Sequence, residues 1–599
     1  MRLKDVLSPF LAWKYLFSPP VPVKKPLERE AAPRYRGFHR NDMETCIGCG
    51  TCEDICQNAA IDMVPVEGIE TTEGDSGLRP RIDYGRCCWC ALCVDICTTG
   101  SLTMSNEYQW IDTDPDVFRF VPGAEKKPWD EREKGYRKPE HYELYGTERV
   151  PMEELTPEER VRSFIEIVKG YSREQALREA DRCVECGICI ATCPAHMGIP
   201  EYIKAVREDD MEEALRVLYE TNPLPEVCGR ICTHKCETVC SMQYKGDPIS
   251  IRWLKRYIAD QVPEARYREI LSADGAEKKD KKVAVVGAGP GGLSAAYYLA
   301  KLGYGVRIFE ERSEPGGMMR YGIPEYRLPY DQLDKDIGYI RSLGVEMTFN
   351  TRVGEDISLE ELQREYDAVF ASTGMHQGRS TRVDGADHPM VFQAIELLRK
   401  VTEGKKIEVA EKIVVIGGGN VAMDIARTLA RLQTKKYVKV RLILTSLETE
   451  DIMPADVEEI TESREEGIVI EPGWGPAEIR VVDDRIEGLN VIRCLSVVDS
   501  EGKFNPRFDP EDKRFFEADM IVEAIGQGMD IGYMTAPLKE ELEMTPLQRV
   551  KIGPLHQSSV PWLFVGGDIV KGPDVISAIA DGHRAAKGID KYLNEEGAS

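Results

Sequence analysis

Residues 281–311 read KKVAVVGAGPGGLSAAYYLAKLGYGVRIFEE. A short β-branched run gives way to a glycine turn, then to a stretch of helix formers, then to a second β-branched run that ends on acid. In such a unit Gly287 permits the turn, Gly289 lets the backbone approach a pyrophosphate, and Gly292 lets the helix lie close to the strand. Pro290 and Gly291 open the helix, and Glu310 stands where a ribose hydroxyl is held. A glycine triplet alone would be weak, but strand, helix and acid occur in the required order. A second unit, EKIVVIGGGNVAMDIARTLARL at 411–432, places Gly417, Gly419 and Ala422 equivalently, with Asn420 and Val421 opening its helix. Two loops predict two Rossmann-like dinucleotide-binding domains, one for a flavin and one for a nicotinamide.

At 599 residues the chain is too long for one core. Its formal charge of -25 disfavours nucleic acid, which needs a basic face. No apolar run is long enough to span a bilayer. The opening MRLKDVLSPFLAWKYLF lacks the small residues of a signal cleavage site and reads as amphipathic: a docking segment over 1–35, or a helix packed on its own domain. A cytoplasmic protein is expected.

Sixteen of the eighteen cysteines fall in four tight groups, which in a chain without a secretory signal points to metal ligation rather than disulfides. CIGCGTCEDIC supplies Cys46, Cys49, Cys52 and Cys56; CCWCALCVDIC supplies Cys87, Cys90, Cys93 and Cys97. Both follow C-x2-C-x2-C-x3-C, in which the first three thiols hold one 4Fe-4S cluster and the fourth crosses to the other. Cys46, Cys49, Cys52 and Cys97 are therefore one set, and Cys87, Cys90, Cys93 and Cys56 its neighbour. Zinc, the alternative, usually pairs C-x2-C knuckles instead. Cys88 is left over as a buried thiol. RCVECGICIATCP adds Cys183, Cys186, Cys189 and Cys193, and EVCGRICTHKCETVC adds Cys228, Cys232, Cys236 and Cys240, enough for two more clusters.

The first pair of runs, with YLFSPPVPVKKPLEREAAPRYRGFHRNDMET before them, resembles the two-cluster ferredoxin subunit of respiratory complex I and its hydrogenase relatives. That resemblance implies that the lead-in docks on neighbouring subunits, so peripheral membrane association through a partner is an expectation. Gln57 and Thr98 replace the usual proline after each fourth cysteine. Residues 182–260, with TNPLPEVCGRIC and DPISIRWLKRYIAD, resemble the cluster domain of the glutamate synthase small subunit, dihydropyrimidine dehydrogenase and the bifurcating transhydrogenase. By that resemblance Cys183, Cys186, Cys189 and Cys240 bind the cluster nearer the flavin, and Cys193, Cys232 and Cys236 the other. Relatives often supply the last ligand as Glu or Gln where this chain has Lys255, which cannot serve while protonated. Cys228 is the substitute, or else a buried thiol beside the site.

GGDIVKGPDVISAIADGHRAA at 566–586 resembles the C-terminal flavin motif of the same family. It implies that Gly567, Asp568 and Val575, at the start of the last helix, hold FAD, joined by Gly317 and by Thr373 and Gly374 of ASTG. The first loop is thus assigned to FAD and the second to NAD(P). NADP-specific members carry two arginines after the strand following the second loop; here VRLILTSLETEDIMPA offers none after Arg441, and Glu448 would repel a 2′-phosphate. NADH is the expected coenzyme and NADPH the alternative.

The predicted architecture is multidomain α/β plus α. It comprises a docking segment (1–35), a two-cluster ferredoxin-like domain (36–111), a linker (112–158), a helical 4Fe-4S domain (159–265), an FAD domain (281–385 and 535–599) and an NAD(P) domain (386–534). The expected cofactors are FAD, four 4Fe-4S clusters and NADH. The expected function is an NAD(P)H-dependent flavin and iron-sulfur oxidoreductase serving ferredoxin or a partner subunit of a larger complex. The alternatives are a glutamate synthase small subunit proper and an electron-wiring scaffold. No side chain is assigned a catalytic role, since hydride transfer belongs to the cofactors.

Overall fold

The computed structural model describes residues 30–140, 142–271, 277–547, 549–570, 572 and 574–596, with Trp13 and Leu16. Most of the expected docking segment therefore lies outside the described residues. The chain divides into two compact units, residues 1–147 and 148–599.

In the first unit each C-x2-C run leads into a one-turn helix, Thr51–Asp54 and Leu92–Asp95. The short strands His39–Asn41 and Leu102–Met104 pair antiparallel, and Ile61–Pro65 pairs with Leu78–Asp83. Ile61, Ile82, Val94, Leu102 and Met104 form the core beneath the cysteines. The expected linker is not free chain. Arg119–Phe120 extends the second sheet, and Trp129, 2% exposed, stacks on Phe38 with centroids 4.4 Å apart. The Tyr136 hydroxyl donates to Asp95 at 2.8 Å. Burying such rings is worth about 1.5–3 kcal/mol each, which holds residues 112–147 on this unit. Residues 148–158 join the other unit, where the Val150 N–H donates to Glu179 at 2.8 Å.

The second unit holds two five-stranded parallel sheets. The first runs Leu563–Val565, Ala368–Ala371, Lys282–Val286, Gly305–Phe309, Glu346–Thr348. The second runs Val391–Gln393, Met520–Glu523, Ile413–Ile416, Leu442–Ser446, Val469–Pro472. Val283, Ala284 and Val285 are wholly buried, as expected where helices cover both faces of a parallel sheet. An antiparallel sheet of Trp474–Val482, Arg485–Val498 and Phe504–Glu517 accompanies the second.

The expected helical stretch after Pro157 breaks in two. Pro157–Arg160 and Arg173–Ala180 each start on a capping box, at Thr156 and Ser172. Between them Val168 bridges back to Glu154, ahead of the first helix, and Gly170 turns left-handed. Helices Ile199–Arg207, Met211–Thr221, Pro225–Ile231 and Ile251–Gln261 carry the rest of this region. Among the described residues no helix is long and apolar enough to cross a membrane.

Candidate active site and cluster sites

Strand Lys282–Val286 ends at Gly287, whose φ of 98° and closeness to the Ser372 carbonyl exclude a side chain. At Gly292 a Cβ would stand 2.0 Å from the Gly287 carbonyl oxygen, so the helix Pro290–Lys301 lies directly on its turn. Gly289 differs: a Cβ there meets nothing nearer than Gly317 Cα at 4.0 Å. That open space at a helix N-terminus is a cradle for a pyrophosphate. Both Glu310 oxygens accept backbone bonds, from Ala288 N–H at 2.8 Å and Arg312 N–H at 3.0 Å. The carboxylate is thereby held in place with lone pairs left for a ribose diol.

These residues open into one cavity of about 600 Å³. Pro290, Gly291, Gly317, Thr373 and Gly374 line it, as do Gly567, Asp568 and Val575. Asn420 and Val421 reach the same cavity from the second loop, so both dinucleotide loops serve one space. Gly417, with φ 146°, packs against the Ala524 carbonyl, and around a Cβ at Gly419 there is nothing within 4 Å. The Glu448 carboxylate lies 2.9 Å from where a Gly418 Cβ would be. The Asn420 side chain is engaged: its amide donates to Asp456 at 3.0 Å and accepts from the Asp456 N–H at 2.8 Å. It ties the helix start to the loop after Glu448, so its backbone rather than its side chain faces a ligand.

The cysteine turns share one backbone. The second residue after the first thiol is left-handed in each C-x2-C opening, at Gly48, Trp89 and Glu185, and the residue after the second thiol is so at Gly50, Ala91 and Gly187. His234 repeats it between Cys232 and Cys236. Four of these seven positions, Trp89, Ala91, Glu185 and His234, carry a residue other than glycine in a conformation that glycine adopts more easily, and such strain persists only where the surrounding structure holds it. After burial, the groups that act on Cys52 are Cys49, Cys93, Cys97 and Cys46, and those that act on Cys93 are Cys87, Cys90 and Cys56. Burial and these neighbours raise both thiols, and burial pushes Cys87 up to about 11, which a bound cation would reverse. Cys88 is exposed, not buried, as is Cys90 two residues on. Among the described residues no three Cys, His, Asp or Glu side chains converge on a single metal ion.

Cys183, Cys186, Cys189 and Cys240 line one small cavity floored by Ile199, Ile203 and Met242. Cys193, Cys228, Cys232 and Cys236 are all buried. The sequence reading placed the Cys183 set nearer the flavin, whereas it is residues beside Cys232 that adjoin the large cavity. Ile231 and Thr233, flanking Cys232, line the flavin cavity, and Asp574 of that cavity acts on the Cys232 thiol. Arg584 of the last helix donates to the Pro194 carbonyl, next to Cys193, at 2.9 Å.

Three family models match the chain. They are the 4Fe-4S dicluster domain at residues 45–101, dihydropyrimidine dehydrogenase domain II (4Fe-4S cluster) at 160–267, and pyridine nucleotide-disulphide oxidoreductase at 281–583, half of the chain. The small chain of glutamate synthase [NADPH] from Escherichia coli is 32% identical over 76% of this chain and 98% of its own length. The chain belongs to the glutamate synthase small-chain family of pyridine nucleotide-disulphide oxidoreductases. Two other relatives are the beta subunits of an NADP(+)-dependent formate dehydrogenase from Moorella thermoacetica, 37% identical, and of an NADPH-Fe(3+) oxidoreductase from Geobacter sulfurreducens, 36% identical. Each matches 68% of this chain, which spans 60% and 64% of their lengths.

Within this family frame, two residues escaped the sequence reading. His39, to which no role was assigned, lies with Nε2 3.4 Å from Cys93 Sγ, and burial lowers it to about 3. It is a neutral ring beside a thiol of the second cysteine run, placed by pairing of its strand with Leu102–Met104 that no local pattern announces. Lys255 was noted only as a missing ligand. Burial opposes its charge, yet the surrounding sulfurs hold the ammonium above the ordinary lysine range.

Asp568 carries a pH signature. Burial, with Asp574 and Asp581 adding, pushes its carboxyl up to about 7. Its folded pKa thus exceeds the unfolded value near 4, so the folded apoprotein binds the extra proton between these limits and loses stability as pH rises from about 4 to 7. Asp568→Asn is expected to flatten that slope and raise the apoprotein melting temperature at pH 8. It should also weaken FAD binding by about 1.5–3 kcal/mol, one charged hydrogen bond. Melting curves across pH and flavin titration read both, and an unchanged slope would exclude Asp568 as its source.

Proposed function

We propose that this protein is an NADH-dependent flavin and iron-sulfur oxidoreductase that delivers electrons singly to a redox partner subunit or ferredoxin. When bound, a flavin takes up a hydride's two electrons together and gives them up one at a time to 4Fe-4S clusters, which accept one each. The observation that carries the reading is the single cavity lined by both glycine loops and flanked by Ile231 and Thr233 on either side of Cys232. Gly287, Gly289, Gly292, Glu310, Gly567 and Asp568 hold the flavin nucleotide; Gly417, Gly419 and Val421 hold the nicotinamide one. Cys193, Cys232 and Cys236, with Cys228 as fourth ligand, form the flavin-adjacent cluster site. Cys183, Cys186, Cys189 and Cys240 form the next, and the crossed sets of the ferredoxin unit make four.

Relatives named as beta subunits and a small chain support a partner subunit here. Their names include NADP(+) and NADPH, which favours the phosphorylated coenzyme. Against that, the Glu448 carboxylate beside Gly418 favours a free ribose diol and repels a 2′-phosphate. Anaerobic flavin bleaching by NADH should exceed that by NADPH at least about tenfold, roughly 1.4 kcal/mol, and Glu448→Gln should narrow the gap. Faster bleaching by NADPH would overturn the coenzyme assignment. Iron analysis should give about sixteen atoms per FAD. The glutamate synthase small chain matches 76% of this chain, and the ferredoxin unit at 45–101 favours a longer electron relay than that enzyme's small chain alone.

A further inference from the structure

His39 is 1% exposed and sits inside the ferredoxin unit, at the start of strand His39–Asn41. Its ring Nε2 stands 3.4 Å from Cys93 Sγ. The other ring nitrogen, Nδ1, stands 3.2 Å from the Tyr84 hydroxyl, and that same hydroxyl accepts the His39 backbone N–H at 2.9 Å. With its oxygen already accepting, the hydroxyl's own proton has the Nδ1 lone pair as its acceptor. An imidazole that accepts at Nδ1 is neutral and carries its hydrogen on Nε2, the nitrogen that faces the sulfur. The residue has little freedom to turn away: Trp89 stacks on the ring with centroids 6.4 Å apart, and the His39 carbonyl accepts from the Trp129 indole N–H at 3.4 Å. Backbone N–H groups of Ala60 and Trp89 donate to Cys56 and Cys87 at 3.3 and 3.4 Å, so three sulfurs of one set each meet an N–H. Those two bonds come with the chain's own turns, whereas the imidazole is brought in from another strand.

We propose that His39 donates its Nε2–H to the Cys93 thiolate and thereby raises the reduction potential of the cluster held by that set. The inference rests on the reading of Cys87, Cys90, Cys93 and Cys56 as a 4Fe-4S site. One electron arriving there from the reduced flavin, with no proton taken up and nothing leaving, makes the site one unit more negative. A hydrogen bond to a ligand sulfur strengthens as that sulfur gains negative charge, so the donor favours the reduced state. His39 is a positioning residue in this sense: it touches no substrate and supplies no ligand, but acts through Cys93, as the outer partners of metal ligands do. The site therefore holds its electron more firmly than its four cysteines alone would.

The test uses the full-length holoprotein with His39→Leu, which removes the donor, and His39→Gln, which keeps an N–H. Iron content is measured alongside a redox titration followed by electron paramagnetic resonance, and the signal of this site is the one missing from Cys93→Ala. His39→Leu should keep its iron yet hold the electron at that site about tenfold less tightly, about 59 mV for one electron. His39→Gln should recover more than half of that shift. An unchanged potential in His39→Leu overturns the proposal, and so do equal shifts in the two variants, since packing rather than a donor would then set the potential. Loss of iron from both variants also overturns it, because His39 would then be needed to build the site. One measurement needs no substitution: with histidine isotopically labelled at its ring nitrogens, the reduced site should show a hyperfine coupling to a labelled nitrogen, and its absence overturns the proposal whatever the variants do. Failure of the underlying reading is seen separately, because Cys93→Ala would then keep its full iron content.

Discussion

Gly419→Ala is expected to yield a protein that keeps its flavin and its iron yet no longer bleaches with NADH at ordinary concentrations. The position has φ −99°, open to any residue, and nothing lies within 4 Å of the added methyl, so the fold has no reason to object. At a helix N-cap, glycine to alanine costs only a few tenths of a kcal/mol where no side-chain bond is lost. The space the methyl takes is the space a pyrophosphate needs at the start of helix Asn420–Tyr437. Overpacking there should cost about 1–3 kcal/mol, a roughly 5- to 150-fold weaker dinucleotide complex. Dithionite should still reduce both flavin and clusters. Full bleaching at wild-type NADH concentrations would mean that the second loop is not the nicotinamide site.

Cys232→Ala should separate the two halves of the reaction. NADH should still bleach the flavin, because both glycine loops are untouched. About four iron atoms should be lost, and electron delivery to an external one-electron acceptor should fall by more than about a hundredfold, beyond what changes outside the ligand shell usually cost. The reason is position: Ile231 and Thr233 line the flavin cavity, so no other cysteine set among the described residues is tied to it so directly. The same substitution at Cys186, in the cavity shared with Cys183, Cys189 and Cys240, should also lose iron but leave the flavin-adjacent cluster reducible. Equal effects on that cluster from both variants would return the order of the two sets to the one the cysteine spacing and family resemblance imply.

Much of this protein is local and so was legible in its sequence. The glycine loops are short-range devices: Gly287, Gly292 and Glu310 act on partners within one strand-turn-helix-strand unit, so residue type and spacing suffice to recognise them. The cysteine runs are equally local, since a C-x2-C turn sets the spacing of its own sulfurs. What the chain order could not reveal is contact between distant elements. Residues 112–147 look like a charged connector until Trp129 finds Phe38 and Phe120 finds the edge of a sheet. Asn420 looks like a coenzyme ligand until its amide meets Asp456. Helices Pro225–Ile231 and Ile251–Gln261 close on each other at Gly229, a contact that no local pattern announces. Sequence specifies which groups can bind iron and nucleotides because those groups are built from neighbours along the chain; packing alone decides which of them stand side by side, because burial brings together residues that no short-range geometry connects.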